Sequence, residues 1–219
     1  MNDMARLTQK DPKYLRLLLH RLEKKGIIKR IEKNKYTIQD NPYIVASNLA
    51  FPSYISFLSA YAFYGLTNQI PTVITIATLK SKKSLLVNGQ RAVFVKLKKT
   101  NFFGYKKIML NRRPAFVAEK EKAILDSIYL PRHCPLSETL TAIKESNPNK
   151  EILLQYAKRM NNVTLTKRLG YLLEKSGIDI YGETKQQIGN KYSPLNPHLP
   201  AKGSRIKKWK LIQNEELQT

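Results

Sequence analysis

The 219-residue chain carries 39 Lys and Arg residues against 16 Asp and Glu, a formal net charge of +23, and is 42% hydrophobic. This hydrophobic fraction is typical of a globular protein, and the positive charge favours a polyanionic partner such as nucleic acid, an acidic membrane surface or an acidic protein. The sequence shows no signal peptide and no apolar run of about 18 residues, which excludes a membrane-spanning helix and predicts no membrane partner. The single cysteine, Cys134, cannot form an internal disulfide, which favours a reducing cytoplasm.

An amphipathic helix is predicted over residues 11–26. Asp11 is a favourable N-cap, Pro12 suits the first helical position, and Gly26 suits a left-handed C-cap. Leucines at positions 15, 18, 19 and 22 have helical spacing and form one apolar stripe. The opposite face and its flanks are mostly cationic. They comprise Lys13, Arg16, Leu17, His20, Arg21 and Lys24.

A basic β-hairpin is predicted directly after this helix. Residues 27–32 and 35–38 alternate in polarity around a short turn at Lys33-Asn34, and Arg30, Lys33 and Lys35 supply its cationic groups. A cationic helix followed by a cationic hairpin fits duplex DNA, because a helix can enter the major groove while a wing contacts backbone phosphates. We therefore predict a winged helix-turn-helix over residues 1–40, with a short first helix over residues 2–7.

Other interpretations of this region remain open. An amphipathic helix ending in Lys-Lys-Gly is common, and its charges can simply solvate a surface or interact with the helix dipole. A winged helix also normally begins with one more helix, for which this chain has no residues. Either the module is reduced, or the true start lies upstream, or another segment or subunit covers the exposed apolar side.

Mixed strands and helices are predicted over residues 41–219, so we expect an α+β protein with a second, C-terminal domain. Helices are predicted over residues 43–50, 52–64, 119–130, 137–146, 149–160 and 164–176. Strands are predicted over residues 73–77, 85–87, 91–97, 102–110 and 116–117, with an Asn88-Gly89 hairpin turn and a possible bulge at Gly104. The run from Lys207 to Ile212, which contains the sole tryptophan, is expected to be a strand that docks on the body.

One long segment lacks acidic residues. No Asp or Glu occurs between Asp40 and Glu119, where average composition would place about ten. We call residues 41–118 the acid-free stretch. Its basic residues are Lys80, Lys82, Lys83, Arg91, Lys96, Lys98, Lys99, Lys106, Lys107, Arg112 and Arg113. This pattern favours a second surface that faces a polyanion, and compositional drift is the alternative.

Catalytic and metal-binding patterns in the sequence are weak. It has no Gly-rich phosphate loop and no nucleophile elbow. His20, His133 and His198 lack a second ligand at zinc spacing, apart from Cys134 beside His133. Residues 119–122 resemble the Glu-x-Lys element of metal-dependent nucleases, but the acid-free stretch supplies no upstream carboxylate for Mg²⁺. We expect no enzyme activity, no catalytic residues, no metal site and no cofactor.

The helix over residues 119–130 is instead predicted to be a core element. The residues expected to form its inward stripe are Ala123, Ile124, Ile128 and the ring of Tyr129, and Leu125 and Ile128 are the residues whose truncation tests it. Those expected to face solvent or to cap the first turn are Glu119, Lys120 and Lys122. Asp126 is interpreted as structural.

A series of short segments from Ala46 onward carries a family resemblance. They are Ala46-Ser47-Asn48-Leu49-Ala50, Pro52-Ser53-Tyr54-Ile55-Ser56, Tyr64-Gly65-Leu66-Thr67, Ile76-Ala77-Thr78, Phe102-Phe103-Gly104-Tyr105, residues 118–126 running to Pro131, residues 168–174, and Lys208-Trp209-Lys210-Leu211. In their order along the chain these segments resemble the AbiEi family, the antitoxins and transcriptional regulators of type IV (abortive infection) toxin–antitoxin systems.

The resemblance implies an N-terminal winged helix-turn-helix that represses its own operon and a C-terminal domain with the antitoxin role. It also implies a nucleotidyltransferase-like toxin encoded nearby. We therefore expect a DNA-binding transcriptional repressor whose partner is double-stranded operator DNA. The alternatives are a basic protein- or RNA-binding adaptor and, after it, a metal-dependent nuclease.

Overall fold

The computed structural model describes residues 2–217 and contains both helices and strands. The helices are α1 (Asn2–Thr8), α2 (Pro12–Lys24), α3 (Pro42–Asn48), α4 (Phe57–Tyr64), α5 (Lys120–Tyr129), α6 (Leu136–Ser146), α7 (Lys150–Met160), α8 (Val163–Lys175) and α9 (Tyr181–Thr184). The strands are β1 (Lys29–Glu32), β2 (Lys35–Thr37), β3 (Ser53–Ile55), β4 (Val73–Thr78), β5 (Leu85–Val87), β6 (Gln90–Lys96), β7 (Tyr105–Leu110), β8 (Arg113–Ala118), β9 (Ser193–Pro194), β10 (Ser204–Ile206) and β11 (Leu211–Gln213). The mixed α+β class predicted from the sequence is confirmed.

The centre of the molecule is a six-stranded mixed sheet in the order β5-β6-β4-β3-β8-β7. The β5–β6 hairpin turns at Asn88-Gly89, as predicted, and the antiparallel pair β7–β8 forms the opposite edge. Strands β4 and β6 pair in parallel, as do β3 and β8. We call residues 41–217 the sheet body and residues 2–40 the N-terminal region.

Strand β3 shows how the sheet divides the helices. Successive side chains of a strand point to opposite faces. The Ser53 hydroxyl donates to the carbonyl of Ser47 in α3 at 2.8 Å, whereas the Tyr54 hydroxyl donates to Asp126 of α5 at 3.1 Å. Helix α3 therefore covers one face, and α4 and α5 cover the other.

The long helix predicted from Pro52 to Tyr64 is wrong in its first half. Residues 53–55 form β3, and the helix begins at Phe57 and ends at Gly65, whose φ is 68°. Strand β3 is fully buried and pairs with both β4 and β8. These long-range hydrogen bonds outweigh the local helical pattern. Strand β7 likewise begins at Tyr105, after Gly104, later than predicted.

Helix α5 is the core element that the sequence predicts, with one correction. Ala123, Ile124, Leu125 and Ile128 are fully buried. Lys122, however, does not face solvent: it is completely buried and ion-paired with Asp126. The second Asp126 oxygen accepts hydrogen bonds from Tyr54 at 3.1 Å and from Ser56 at 2.8 Å. Burial of this charge is tolerated because the carboxylate and its neighbours satisfy one another.

The C-terminal part of the chain packs against the rest of the sheet body. Strand β11 pairs with β9 and β10, and Trp209 just before it is completely buried. The indole N–H donates to Glu174, and a Cβ at Gly170 would lie 1.9 Å from the indole ring. The predicted docking is present, but the strand begins only at Leu211, because residues 207–210 form a turn that lets the indole enter the core.

The N-terminal region has a small apolar interior of its own. Leu15 and Leu19 of α2 and Ile28 are buried, but they lie outside the continuous apolar cluster of the sheet body. Only Ile31 of this region packs against that cluster. Among the described residues, 2–217, no helix is long and apolar enough to cross a membrane.

Candidate nucleic-acid interface

The start, the inner face and the end of α2 follow directly from its sequence. The Asp11 carboxylate accepts hydrogen bonds from backbone N–H groups of the first turn, including that of Lys13 at 2.7 Å. Leu15 and Leu19 are buried and fix which side of the helix faces inward. After the last turn, Gly26 adopts a φ of 69°, as a left-handed cap requires. The rotation of α2 about its axis is thereby set.

The outward side of α2 carries the residues that the sequence predicts for DNA contact. At 3.6 residues per turn they lie within an arc of about 140°, opposite the buried leucines. Their side chains are all exposed, and none of them forms an ion pair within the part of the chain that the structure describes. We call them the cationic face of α2. It consists of Lys13, Arg16, Leu17, His20, Arg21 and Lys24.

The hairpin β1–β2 follows α2 closely and presents two further basic residues. The strands pair antiparallel with a bulge between Arg30 and Glu32, and Asn34 turns the chain with a φ of 63°. Arg30 and Lys33 are exposed and have no ion-pair partner among residues 2–217. Lys33 lies at the tip of the hairpin, the position a phosphate-contacting wing residue would have.

Lys35 differs from the other predicted hairpin residues, because its ammonium already has partners. It lies 3.1 Å from Glu32 and 3.2 Å from the carbonyl oxygen of Leu49. Glu32 also pairs with Lys82 of the sheet body at 2.5 Å. Partial burial acts to raise the pKa of Glu32, but the hydrogen bonds from Lys82 and Lys35 outweigh it and the pKa lies below its ordinary value. Lys35 would have to leave both partners to reach a phosphate.

The base of the hairpin is fixed to the turn between β5 and β6. The Asn88 amide donates to the carbonyls of Gln39 at 2.8 Å and Asp40 at 2.9 Å, and Lys29 pairs with Asp40 at 2.7 Å. The sequence analysis missed these anchors. No local pattern signals the two Asn88 hydrogen bonds, since their partners lie 49 and 48 positions away.

The acid-free stretch forms most of the central sheet and its loops. Of its basic residues, Lys82 is the one with an ion pair among residues 2–217, and its partner Glu32 lies in the N-terminal region. The others are exposed and lack a carboxylate partner within the described chain. The stretch therefore adds a large unneutralised positive charge beside the N-terminal region.

Glu119 of the Glu-x-Lys element and Asp126 on the same helix have structural partners. Glu119 accepts a hydrogen bond from the Tyr156 hydroxyl at 2.5 Å, and this bond, with burial, raises the pKa of Tyr156 to about 12. Asp126 is occupied by Lys122, Tyr54 and Ser56. Across the described residues, no group of three or more His, Cys, Asp or Glu side chains is placed to hold a metal ion.

The remaining titratable candidates do not come together. His20 is exposed on α2, whereas His133 is half-buried against Phe57. Burial of Cys134 raises the pKa of its thiol to about 12, so at neutral pH it is not the thiolate that binds metals or attacks substrates.

A solved structure with this architecture exists. The chain is similar to the RV2827C protein from Mycobacterium tuberculosis, whose crystal structure aligns with a TM-score of 0.61 and 14% sequence identity. The alignment covers 95% of this chain and 83% of that chain. No family model matches the chain, and no curated protein matches it. At this identity the likeness shows a shared fold over most of the chain.

Proposed function

We propose that the protein is a transcriptional repressor that binds duplex DNA through its N-terminal region, used as a winged helix-turn-helix. The observation that carries the proposal is the cationic face of α2, which is exposed, free of ion pairs within residues 2–217, and held outward by the buried leucines behind it. A surface kept unneutralised in this way is suited to a polyanion.

The geometry of α2 supports entry into the major groove. Its 13 residues make a helix about 20 Å long, and the groove of B-form DNA is about 12 Å wide and admits one helix. Arg16 and Arg21 flank the centre of the cationic face, where an arginine fork can reach guanine O6 and N7. Leu17, 48% exposed, lies between them and can contact a thymine methyl group.

The hairpin supplies the second contact of the proposed module. Arg30 and Lys33 are available for backbone phosphates, and the anchors from Asn88 and Lys82 hold the hairpin at a fixed place on the sheet body. Phosphate contacts then supply most of the affinity, and the basic residues of the acid-free stretch add long-range attraction.

The regulatory setting of the proposal comes from the resemblance to the AbiEi family. On that basis the protein is an autorepressing antitoxin of a type IV toxin–antitoxin system, its DNA target is its own operator, and a neighbouring gene encodes a nucleotidyltransferase-like toxin. This part is tested separately from DNA binding, by co-expression with the neighbouring gene product and measurement of growth. Growth arrest that the protein fails to relieve contradicts the antitoxin role.

The central experiment is fluorescence anisotropy with labelled DNA from upstream of the protein's own gene. A scrambled duplex of equal length and composition is the control. We expect tighter binding to the upstream DNA and affinity for both that falls steeply with salt, since counterions are released from phosphates. Equal affinity for the two duplexes at every salt concentration contradicts sequence-specific repression and favours a general nucleic-acid adaptor.

A further inference from the structure

A cavity of about 720 Å³ lies between the N-terminal region and the sheet body. Its walls come from four elements: Leu19 and Leu22 of α2, Ile31 of the hairpin, Ile44 and Val45 of α3, and Pro114 of β8. The cavity is open to solvent, so a ligand can enter it from outside the protein. A space of this size, lined mostly by aliphatic side chains, falls within the range of small-molecule binding pockets.

The charged residues that line the cavity are all basic. Its lining within the described chain includes Lys35 and Arg113 and no Asp or Glu. Lys35 is held by Glu32 and by the carbonyl of Leu49. The Arg113 side chain is exposed and has neither an ion pair nor a hydrogen bond to any residue among 2–217. One guanidinium at an apolar cavity is thus left available for an anion.

We propose that this cavity binds a small amphipathic organic anion, with an aliphatic or aromatic body and one carboxylate or sulfonate group. The body of the ligand fills the space among Leu22, Ile31 and Val45, and its anionic group pairs with Arg113. Charge complementarity favours this class, because a cation would meet like charge at the cavity whereas an anion can pair with the Arg113 guanidinium.

The position of the cavity gives the ligand a regulatory role, and this second part rests on the proposed function. Helix α2 supplies one wall with its buried face and presents the cationic face to DNA on the other. A ligand that touches both α2 and β8 favours one placement of α2 against the sheet body. If that placement differs from the DNA-bound one, ligand and DNA affect each other's affinity reciprocally.

Ligand binding is measured first, without DNA. The probes are 8-anilinonaphthalene-1-sulfonate, followed by its fluorescence, and dodecanoate as a competitor, with dodecanol as the uncharged counterpart. We expect saturable binding of the sulfonate, displacement by dodecanoate, and weak displacement by dodecanol. Arg113→Gln is expected to weaken dodecanoate binding about tenfold, and Leu22→Trp to abolish it by filling the cavity.

Two control variants test whether loss of any positive charge, or addition of an indole anywhere, would weaken dodecanoate binding in the same way. Arg112→Gln removes a neighbouring charge that does not line the cavity, and Leu86→Trp places an indole on the exposed edge strand β5. Both are expected to bind dodecanoate like the parent. Circular dichroism melting accompanies each variant, and Ile38→Trp, at an exposed lining position, replaces Leu22→Trp if the latter does not fold.

The outcomes are distinguishable. Absence of saturable binding, or equal binding by the parent, Arg113→Gln and the cavity-filling variant, overturns the inferred site. A concentration-dependent dimer that the filling variant dissociates, without anion binding, also overturns it and assigns the cavity to a second copy. Anion binding with unchanged affinity for DNA overturns the regulatory role alone. Anion binding by a protein that binds no DNA supports the site and contradicts the proposed function.

Discussion

The N-terminal region and the sheet body are packed to different degrees. In the N-terminal region the buried apolar side chains are Leu15, Leu19 and Ile28, while Leu7 is 85% exposed and Ile38 is 64% exposed. In the sheet body a continuous apolar cluster runs from α3 to β11 and encloses side chains as large as tryptophan and tyrosine. The region proposed to bind DNA is therefore the one with the least core of its own.

This difference indicates that the two regions are stabilised by different interactions. The sheet body has enough buried surface to be stable by itself, whereas the N-terminal region relies on a few leucines and on the polar anchors from Lys82 and Asn88. Sparse packing and exposed hydrogen bonds are typical of segments that open locally at low free energy. We expect the N-terminal region to open before the body unfolds, and five predictions break or sharpen this comparison.

The largest loss of folding stability is expected when the buried ion pair in the sheet body is broken. Asp126→Ala leaves Lys122 charged and unpaired in the core, which is expected to lower the free energy of unfolding by about 3–5 kcal/mol. The double variant Lys122→Met/Asp126→Leu removes both charges and should regain most of this loss. Urea denaturation measures both. A loss below about 1 kcal/mol in the single variant would show that the pair is hydrated in solution.

Truncation of α5 is expected to have the next largest effect. Leu125→Ala and Ile128→Ala each create a cavity in the body and should cost about 2–5 kcal/mol of global stability. Leu19→Ala, the matched change in the N-terminal region, should mainly increase amide exchange within residues 2–40. Equal global losses for all three variants would show that the two regions unfold as one unit. Unchanged melting of the α5 variants with lost antitoxin activity would instead identify an exposed partner surface.

The proposed recognition residues are expected to change binding and not stability. Arg16→Ala and Arg21→Ala should each weaken binding to upstream DNA by about 1–3 kcal/mol, and should relax specificity at one base position if the arginine reads a base edge. Lys144→Ala, which removes one exposed charge from α6 in the body, is the control. Unchanged affinity of the arginine variants for both upstream and scrambled DNA refutes the assignment.

The hairpin tip is expected to contribute less to DNA-binding affinity than the arginines, and equally for every DNA sequence. Lys33→Ala should weaken binding to all sequences alike and reduce the slope of log K against log salt by about one unit. Lys35→Ala, the hairpin residue whose ammonium is already paired, should change the slope less. If Lys33→Ala weakens only the upstream DNA complex, the hairpin reads bases.

The smallest change in stability is expected from loss of the ion pairs that join the two regions. The pKa of Glu32 lies below its ordinary value in the folded protein, so its pairs with Lys82 and Lys35 stabilise the folded state at neutral pH. This contribution, below about 1 kcal/mol, is lost as the pH falls below the ordinary pKa of a glutamate and through the lower folded-state pKa. Amide exchange in the hairpin should then rise, and Glu32→Gln should remove the pH dependence. The same pH dependence in Glu32→Gln would place the titrating group elsewhere.

The sequence predicts those features that depend on local spacing. The face of α2 follows from helical periodicity, and the β5–β6 hairpin follows from Asn88-Gly89 between two apolar-rich runs. It could not predict β3, whose partners β4 and β8 lie far along the chain, or the burial of Lys122, which depends on a carboxylate held by Tyr54 from 72 positions away. The same holds for Lys35, because its contact with Leu49 is tertiary.

The buried indole of Trp209 also affects the order in which parts of the chain can fold during translation. Helix α8 ends at Lys175, yet the space above Gly170 is filled only when the ribosome has released Trp209. Helix α2 and the pairing of β1 with β2, whose capping and strand hydrogen bonds lie within the first forty residues, can form much earlier, before the anchors from Asn88 and Lys82 are added. We expect nascent chains stalled before residue 205 to show a formed α2 and a protease-sensitive body. Protease resistance of the body in such chains would show that the tryptophan closes a fold that is already complete.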